Sequence, residues 1–128
     1  MKPRILFVNG SAEKLKDIVK YQLSCSVDFI TNSEEVLAKD PLRYDVTIID
    51  ASDDEPVGLR RCLSEYLKLK NPDMIIIGTS LEEESFLKDG LAKQLYDERI
   101  SFDLMDTRWI ERIKEILTNK YHFDFSDE

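Results

Sequence analysis

The stretch Tyr44–Gly58, YDVTIIDASDDEPVG, contains an apolar run that ends at Asp50 and leads into a loop crowded with acidic residues. Positions 46–49 are β-branched throughout, which is typical of a strand buried on both faces. In an open parallel α/β sheet, ligands and reactive groups lie just beyond the carboxyl ends of the strands. Asp50 is therefore a candidate reactive carboxylate at the end of a buried strand.

Four further apolar runs flank this strand and predict strands over Arg4–Val8, Val27–Thr31, Met74–Gly78 and Ile100–Met105. Helical spacing of apolar residues alternates with these runs. It predicts helices over 12–23, over a short segment that starts at Ser33 and stops at Pro41, over 59–67, over 81–96, and from Asp106 or Thr107 onward.

Strands that alternate with helices predict a parallel sheet covered on both faces. The expected fold is α/β, a doubly wound (βα)5 arrangement of the flavodoxin-like type with a five-stranded sheet in the order 2-1-3-4-5 and the second strand near an edge. This order places a crevice beside the ends of strands one and three. The crevice would be lined by Asn9, Gly10 and Asp50, with Thr79 and Ser80 next along.

The 128 residues suit one domain over residues 1–120, followed by an acidic, aromatic tail over 121–128 that is expected to fray. A net charge of -8 argues against a nucleic-acid partner, because backbone affinity comes from clustered basic residues. The start of the chain does not resemble a signal peptide, and no apolar run is long enough to cross a bilayer. The sequence therefore predicts no membrane partner. Cys25 and Cys62 lie in apolar patterns and are interpreted as reduced core residues of a cytoplasmic protein.

The sequence lacks the motifs of the common cofactor-dependent enzymes. There is no G-x-G-x-x-G stretch and no phosphate-binding P-loop. His122 is the only histidine and lies in the tail, so a serine or cysteine nucleophile is not expected to have the nearby imidazole base that it needs. An unrelated enzyme that uses the same crevice is the least supported interpretation, and the chain is not expected to be an enzyme.

Several spacings together resemble those of a receiver domain of the two-component response regulators, the CheY-like family. Gly58 lies eight positions after Asp50, and a hydroxyl follows the fourth strand as Thr79 or Ser80. The closing helix, RWIERIKEIL at 108–117, is also similar to the last helix of the family. The resemblance covers nearly the whole chain. It implies that Asp50 occupies the phosphoacceptor position and that Thr79 or Ser80 occupies the position of the switch hydroxyl.

The resemblance also implies a Mg²⁺ site and a lysine, and here the chain departs from the family. Asn9-Gly10 stands where an acidic pair would bind the metal, and the segment 100–109 contains no lysine, Phe102 or Met105 standing near its place. The usual proline of the loop is also absent, at about Asp54. Asp53 or Asp54 are the substitute metal ligands that the loop offers, so the expectation is no cofactor, with Mg²⁺ doubtful.

We therefore predict a degenerate receiver, or pseudo-receiver, that acts through phosphorylation-independent protein–protein interaction. The expected partner is another protein or a second copy, bound through the fourth and fifth helices. The alternative is a working phosphoacceptor, phosphorylated on Asp50 by a histidine kinase.

Each of these residues also has a purely structural interpretation. Asp50 would then bond loop amides at the strand end, and Thr79 or Ser80 would cap the helix predicted to start at Leu81. The acidic run at 53–55 would be a solvated loop.

Overall fold

Five parallel strands form one sheet in this computed structural model, which describes residues 2–8, 16–30, 33–50, 57–80, 96–101 and 107–125. The strands are β1 (Arg4–Val8), β2 (Ser26–Ile30), β3 (Val46–Asp50), β4 (Ile75–Ser80) and β5 (Glu98–Ser101). Their order across the sheet is β2-β1-β3-β4-β5. The predicted fold class, the strand order and the edge position of the second strand are therefore confirmed.

Three α-helices accompany the sheet within the described ranges: α1 (Lys16–Leu23), α2 (Val57–Lys70) and α3 (Arg108–Asn119). The short helix predicted from Ser33 is a 3₁₀-helix that ends at Ala38, before Pro41. Pro41 instead begins a second 3₁₀-helix, Pro41–Arg43, whose first turn is capped by the Asp40 carboxylate accepting from the Leu42 amide at 3.0 Å. No helix in the described ranges is both long enough and apolar enough to cross a membrane.

The strand side chains alternate between two hydrophobic clusters, one on each face of the sheet. One cluster joins Ile5, Phe7 and Ile48 to α1 and α3. The other joins Leu6, Ile49 and neighbouring side chains to α2 and the first 3₁₀-helix. Burial on both faces explains why these strands are continuous apolar runs rather than alternating ones.

The bounds of the last two strands differ from the prediction. Strand β4 continues through Thr79 and Ser80, and β5 begins at Glu98 rather than at Ile100. Of the helix predicted over Leu81–Tyr96, only Tyr96 is described. It lies outside any helix, with its ring against Gly78 of β4. The Tyr96 ring occupies space that a side chain at position 78 would fill. Such a contact between distant residues does not show in a periodic pattern.

The predicted fraying of the tail is wrong for residues 121–125. The Phe123 amide donates to the Leu117 carbonyl at 3.0 Å, and His122 takes a left-handed conformation with φ of 63° as the chain leaves α3. This turn returns Phe125 to the core cluster between α1 and α3, where only 8% of its surface is exposed. Aromatic side chains in a polar tail thus complete the core.

Both cysteines are free thiols, but only one of them contacts the core. Cys25 is half-buried, and burial raises its pKa to about 11 despite the nearby lysines Lys2 and Lys114. Cys62 is exposed on α2, so its assignment to the core is wrong. The buried stripe of α2 runs through its neighbour Leu63 and through Leu67, one turn later.

Candidate functional site

Strands β3 and β4 place Asp50 beside Thr79 at the carboxyl edge of the sheet. Their Cα atoms are register partners, and Thr79 is in turn the partner of Ile100 on β5. On the other side of β3, Val8 pairs with Ile49, so β1 ends one position before the level of Asp50. The candidate phosphoacceptor and the candidate switch hydroxyl therefore occupy adjacent positions on neighbouring central strands.

The rigidity of this edge comes from the strand that carries Asp50. The side chains of Val46, Thr47, Ile48 and Ile49 are at most 1% exposed. The one hydroxyl among them, on Thr47, donates to the sulfur of Met74 at 3.3 Å. A strand packed on both faces and bonded on both edges holds the backbone of Asp50 in one position.

Thr79 carries the unusual feature of the site. Its side chain is 1% exposed, and its hydroxyl has no hydrogen-bond partner within the described part of the chain. A buried hydroxyl without a partner costs about 1–3 kcal/mol of desolvation. The Thr79 hydroxyl therefore has bonding capacity left for a group that approaches the end of β4.

Ser80, the other candidate hydroxyl, is the last residue of β4 and pairs with Ser101 of β5. Because β4 runs through both Thr79 and Ser80, the two residues belong to the sheet. The helix predicted to follow from Leu81 lies outside the described residues, so a capping role for either side chain stays a prediction.

The remaining candidates also lie outside the described residues. These are the degenerate acidic positions Asn9 and Gly10, the substitute ligands Asp53 and Asp54, and the positions Phe102 and Met105 near the expected lysine. Within the described ranges, no group of three His, Cys, Asp or Glu side chains could hold a metal ion. A metal site at the carboxyl edge therefore stays a prediction that depends on Asn9, Asp53 and Asp54.

The opposite, amino edge of the sheet is held by ion pairs that the sequence did not reveal. Asp45 accepts from the backbone amide of Arg4 at 2.9 Å and from its guanidinium at 3.1 and 3.2 Å. Burial alone would raise the pKa of Asp45, but the hydrogen bonds and charge of Arg4 outweigh it and lower the pKa. These residues are 41 positions apart, so only the register of β1 with β3 identifies them as partners.

A second clamp joins α2 to the amino ends of β4 and β5. The Lys68 ammonium donates to the Asp97 carboxylate at 2.7 Å and to the Met74 carbonyl at 2.6 Å. The same Asp97 oxygen accepts from the Ile76 amide at 2.8 Å. Both clamps lie at the edge remote from Asp50, so they stabilise the sheet and take no part in the candidate site.

The closing helix α3 has one buried face and one charged face. Trp109, Ile110, Ile113 and Leu117 are buried, and Trp109 packs edge-on against Phe7 with ring centroids 6.3 Å apart. The exposed face carries charges of both signs, on Arg108, Glu111, Arg112 and Glu115. The predicted interaction helix is thus anchored on one side and polar on the other.

In comparison with solved structures, this architecture is similar to that of response regulator receiver domains. The response regulator TrrA of Thermotoga maritima, solved in complex with Mg²⁺ and BeF, matches with a TM-score of 0.66 and 23% identity over 90% of this chain and 99% of its own. The non-phosphorylated receiver domain of HemR from Leptospira biflexa matches with a TM-score of 0.66 and 21% identity, over 91% of this chain and 95% of its own.

The same fold also occurs in proteins with other descriptions. A putative pilus assembly-related protein of Burkholderia pseudomallei matches with a TM-score of 0.67 and 12% identity, over 96% of this chain and 92% of its own. No protein-family model matches the sequence, and no curated protein matches it significantly. The chain therefore has the CheY-like receiver fold, and its activity has to be argued from its own residues.

Proposed function

We propose that this chain is a receiver-like signalling module that acts by binding a protein partner or a second copy of itself, without phosphorylation. One combination carries the proposal. The receiver fold keeps Asp50 and Thr79 in register, whereas the sequence after β1 is Asn9-Gly10 and the sequence around β5 has no lysine. This combination supports a receiver-like scaffold that has lost the charged groups of phosphoryl chemistry.

Electrostatics explains why the missing groups matter. Mg²⁺ prefers oxygen ligands in near-octahedral geometry, and carboxylates supply the negative charge that holds it. Asn9 offers a neutral carbonyl and Gly10 offers no side chain, so two negative charges are missing. Without a tightly held metal and without a lysine, little neutralises a phosphoryl group arriving at Asp50.

The exposed face of α3 is the described part of the proposed interaction surface. Arg108, Glu111, Arg112 and Glu115 give it alternating charge, which favours a partner with a complementary pattern. Because the opposite face of α3 is fixed in the core, charge changes on the exposed face should leave the fold intact. The helix predicted to begin at Leu81 is proposed to supply the rest of this surface.

The first experiment asks whether Asp50 accepts phosphate. The folded protein is incubated with Mg²⁺ and acetyl phosphate and its intact mass is measured, with Asp50→Asn as the control. We expect no phosphoryl adduct on either protein. An adduct on the wild type that is absent from Asp50→Asn would contradict phosphorylation-independent action.

The second experiment asks whether the α3 face binds. Association is measured by analytical ultracentrifugation, and by capture of a partner from an extract of the native organism, for wild type, Arg112→Glu with Glu115→Arg, and Asp50→Asn. We expect the α3 double variant to lose association and Asp50→Asn to keep it. Lys16→Glu with Asp17→Lys on the exposed surface of α1 is the matched charge swap, and it should have no effect.

A working phosphoacceptor is the second candidate function, and one observation favours it. The Thr79 hydroxyl is buried beside the position of Asp50 without a partner in the described structure, and a phosphoryl oxygen would satisfy it. In that case Asp53 or Asp54 would complete the metal site. A phosphoryl adduct at Asp50 that is reduced in Asp53→Asn or Asp54→Asn would support this alternative.

A further inference from the structure

A polar pocket of about 550 Å³ opens at the amino edge of the sheet, far from the candidate phosphoacceptor. It lies between Arg4 and Ser26, the first residues of β1 and β2, and the segment 38–44. A strand of five residues separates the two edges of the sheet by about 13 Å. Pockets of this volume suit small molecules, and all but one of the lining residues carry a polar group, so a polar ligand is favoured over an apolar one.

The walls of the pocket are fixed by hydrogen bonds between distant parts of the chain. The Tyr44 hydroxyl donates to Asp28 at 2.6 Å, and burial together with this bond raises the pKa of Tyr44 to about 12. The amide of Asn71, at the end of α2, donates to the carbonyls of Pro41 and Tyr44 at 3.2 and 3.0 Å. The wall formed by Tyr44 and Asp28 is therefore in place before a ligand binds.

Lys39 and Arg43 are the cations of this pocket without an ion pair in the described ranges, and Asp28 and Asp40 keep their negative charges. The carboxylates in and behind it already have donors, since Asp28 accepts from Tyr44 and Asp40 accepts from the Leu42 amide. Asp45, behind the pocket, holds Arg4. By contrast, neither Lys39 nor Arg43 forms a side-chain hydrogen bond or ion pair within the described ranges. These two cationic groups, unpaired in the described part of the chain, favour an anionic group on the ligand.

We propose that this pocket binds a small sugar phosphate, with the phosphate at Lys39 and Arg43 and the hydroxylated body over Ser26 and Asp28. The Ser26 hydroxyl lines the pocket, and Asp28 bonds Tyr44 through one carboxylate oxygen, so its second oxygen can bond a sugar hydroxyl. Arginine and lysine together supply a planar donor fork and a point charge for the phosphate. The site does not depend on phosphorylation or on the α3 surface, so its test is independent of the tests of the proposed function.

The test is a titration of the ¹⁵N-labelled full chain with ribose 5-phosphate, followed by amide chemical shifts. We expect saturable shifts confined to the residues around Ser26 and the segment 38–44. Inorganic phosphate should bind more weakly, and free ribose should not bind. Absence of saturable shifts up to about 10 mM, or equal affinity for inorganic phosphate and ribose 5-phosphate, would overturn the proposal.

Variants separate the two halves of the site. Lys39→Gln with Arg43→Gln should weaken ribose 5-phosphate binding at least about tenfold. Lys16→Gln with Lys70→Gln, which removes two exposed charges elsewhere, should leave it unchanged. Ser26→Ala should weaken ribose 5-phosphate but not inorganic phosphate. Equal effects of the two double variants would show that only net charge is sensed and would contradict the site.

Discussion

The Cα of Asp50 is the register partner of the Cα of Thr79, and the hydroxyl of Thr79 is buried without a partner in the described structure. The two residues lie 29 positions apart in sequence and meet only because β3 and β4 pair in parallel. A buried polar group without a partner is a cost to stability that a binding role would explain. The predictions below begin with this residue.

Replacing Thr79 with valine should stabilise the unliganded protein by about 1 kcal/mol, because it removes an unsatisfied buried hydroxyl while keeping the shape of the side chain. The measurement is urea unfolding followed by circular dichroism. Thr79→Ser is the matched control. It keeps the hydroxyl, loses a buried methyl, and should be destabilised by about 1 kcal/mol. Loss of stability in Thr79→Val would mean that the hydroxyl is bonded after all.

Replacing Gly78 with alanine should destabilise the protein by about 1–3 kcal/mol. A Cβ at this position would lie 2.8 Å from Cγ of Tyr96, at the root of a ring that cannot move away by rotation. Chemical denaturation of Gly78→Ala, Tyr96→Val and the double variant gives a thermodynamic cycle. The cost of the alanine should shrink when Tyr96 is already small, and a cost that stays the same would place the strain elsewhere.

The protein should become less stable in acid because the contribution of the Arg4–Asp45 pair is lost. The folded-state pKa of Asp45 lies below its unfolded value, so the pair contributes fully above the unfolded pKa, near 4, and its contribution is lost as the pH falls through the folded pKa. Urea midpoints between pH 7 and pH 2 measure this dependence. Asp45→Asn should lower stability at pH 7 by about 1 kcal/mol and should flatten the acid limb of the profile. Profiles of equal steepness for both proteins would contradict the role of this pair.

Replacing Phe125 with alanine should destabilise the domain by about 2–3 kcal/mol, because its ring belongs to the core cluster and also lies 5.6 Å from the Lys114 ammonium. A loosely attached tail would give no such effect. Thermal and urea unfolding measure the change, with Glu115→Ala on the exposed face of α3 as a near-neutral control.

His122→Gly tests the turn that returns the tail to the core. It should be neutral or slightly stabilising, because glycine takes the left-handed conformation at no steric cost.

Local patterns in the sequence were sufficient for the class of the fold, and the right-handed crossover rule left few strand orders to choose from. Five apolar runs alternated with helical periodicity, and a β-branched strand ending in an acid implied a parallel sheet buried on both faces. Such patterns are short-ranged, since they follow from repeats of two or about 3.6 residues. They located β1 and β3 correctly, but they ended β4 two residues early and began β5 two residues late.

Tertiary structure alone decided which distant groups meet. The pairing of Arg4 with Asp45, the pocket between β2 and the segment 38–44, and the return of Phe125 to the core all depend on register and packing between parts far apart in sequence. The exposure of Cys62, in a pattern that looked apolar, was likewise set by the rotation of α2 against the sheet. The sequence determines which residues favour burial. Which of them come into contact, and so contribute to stability, is determined only by the whole fold.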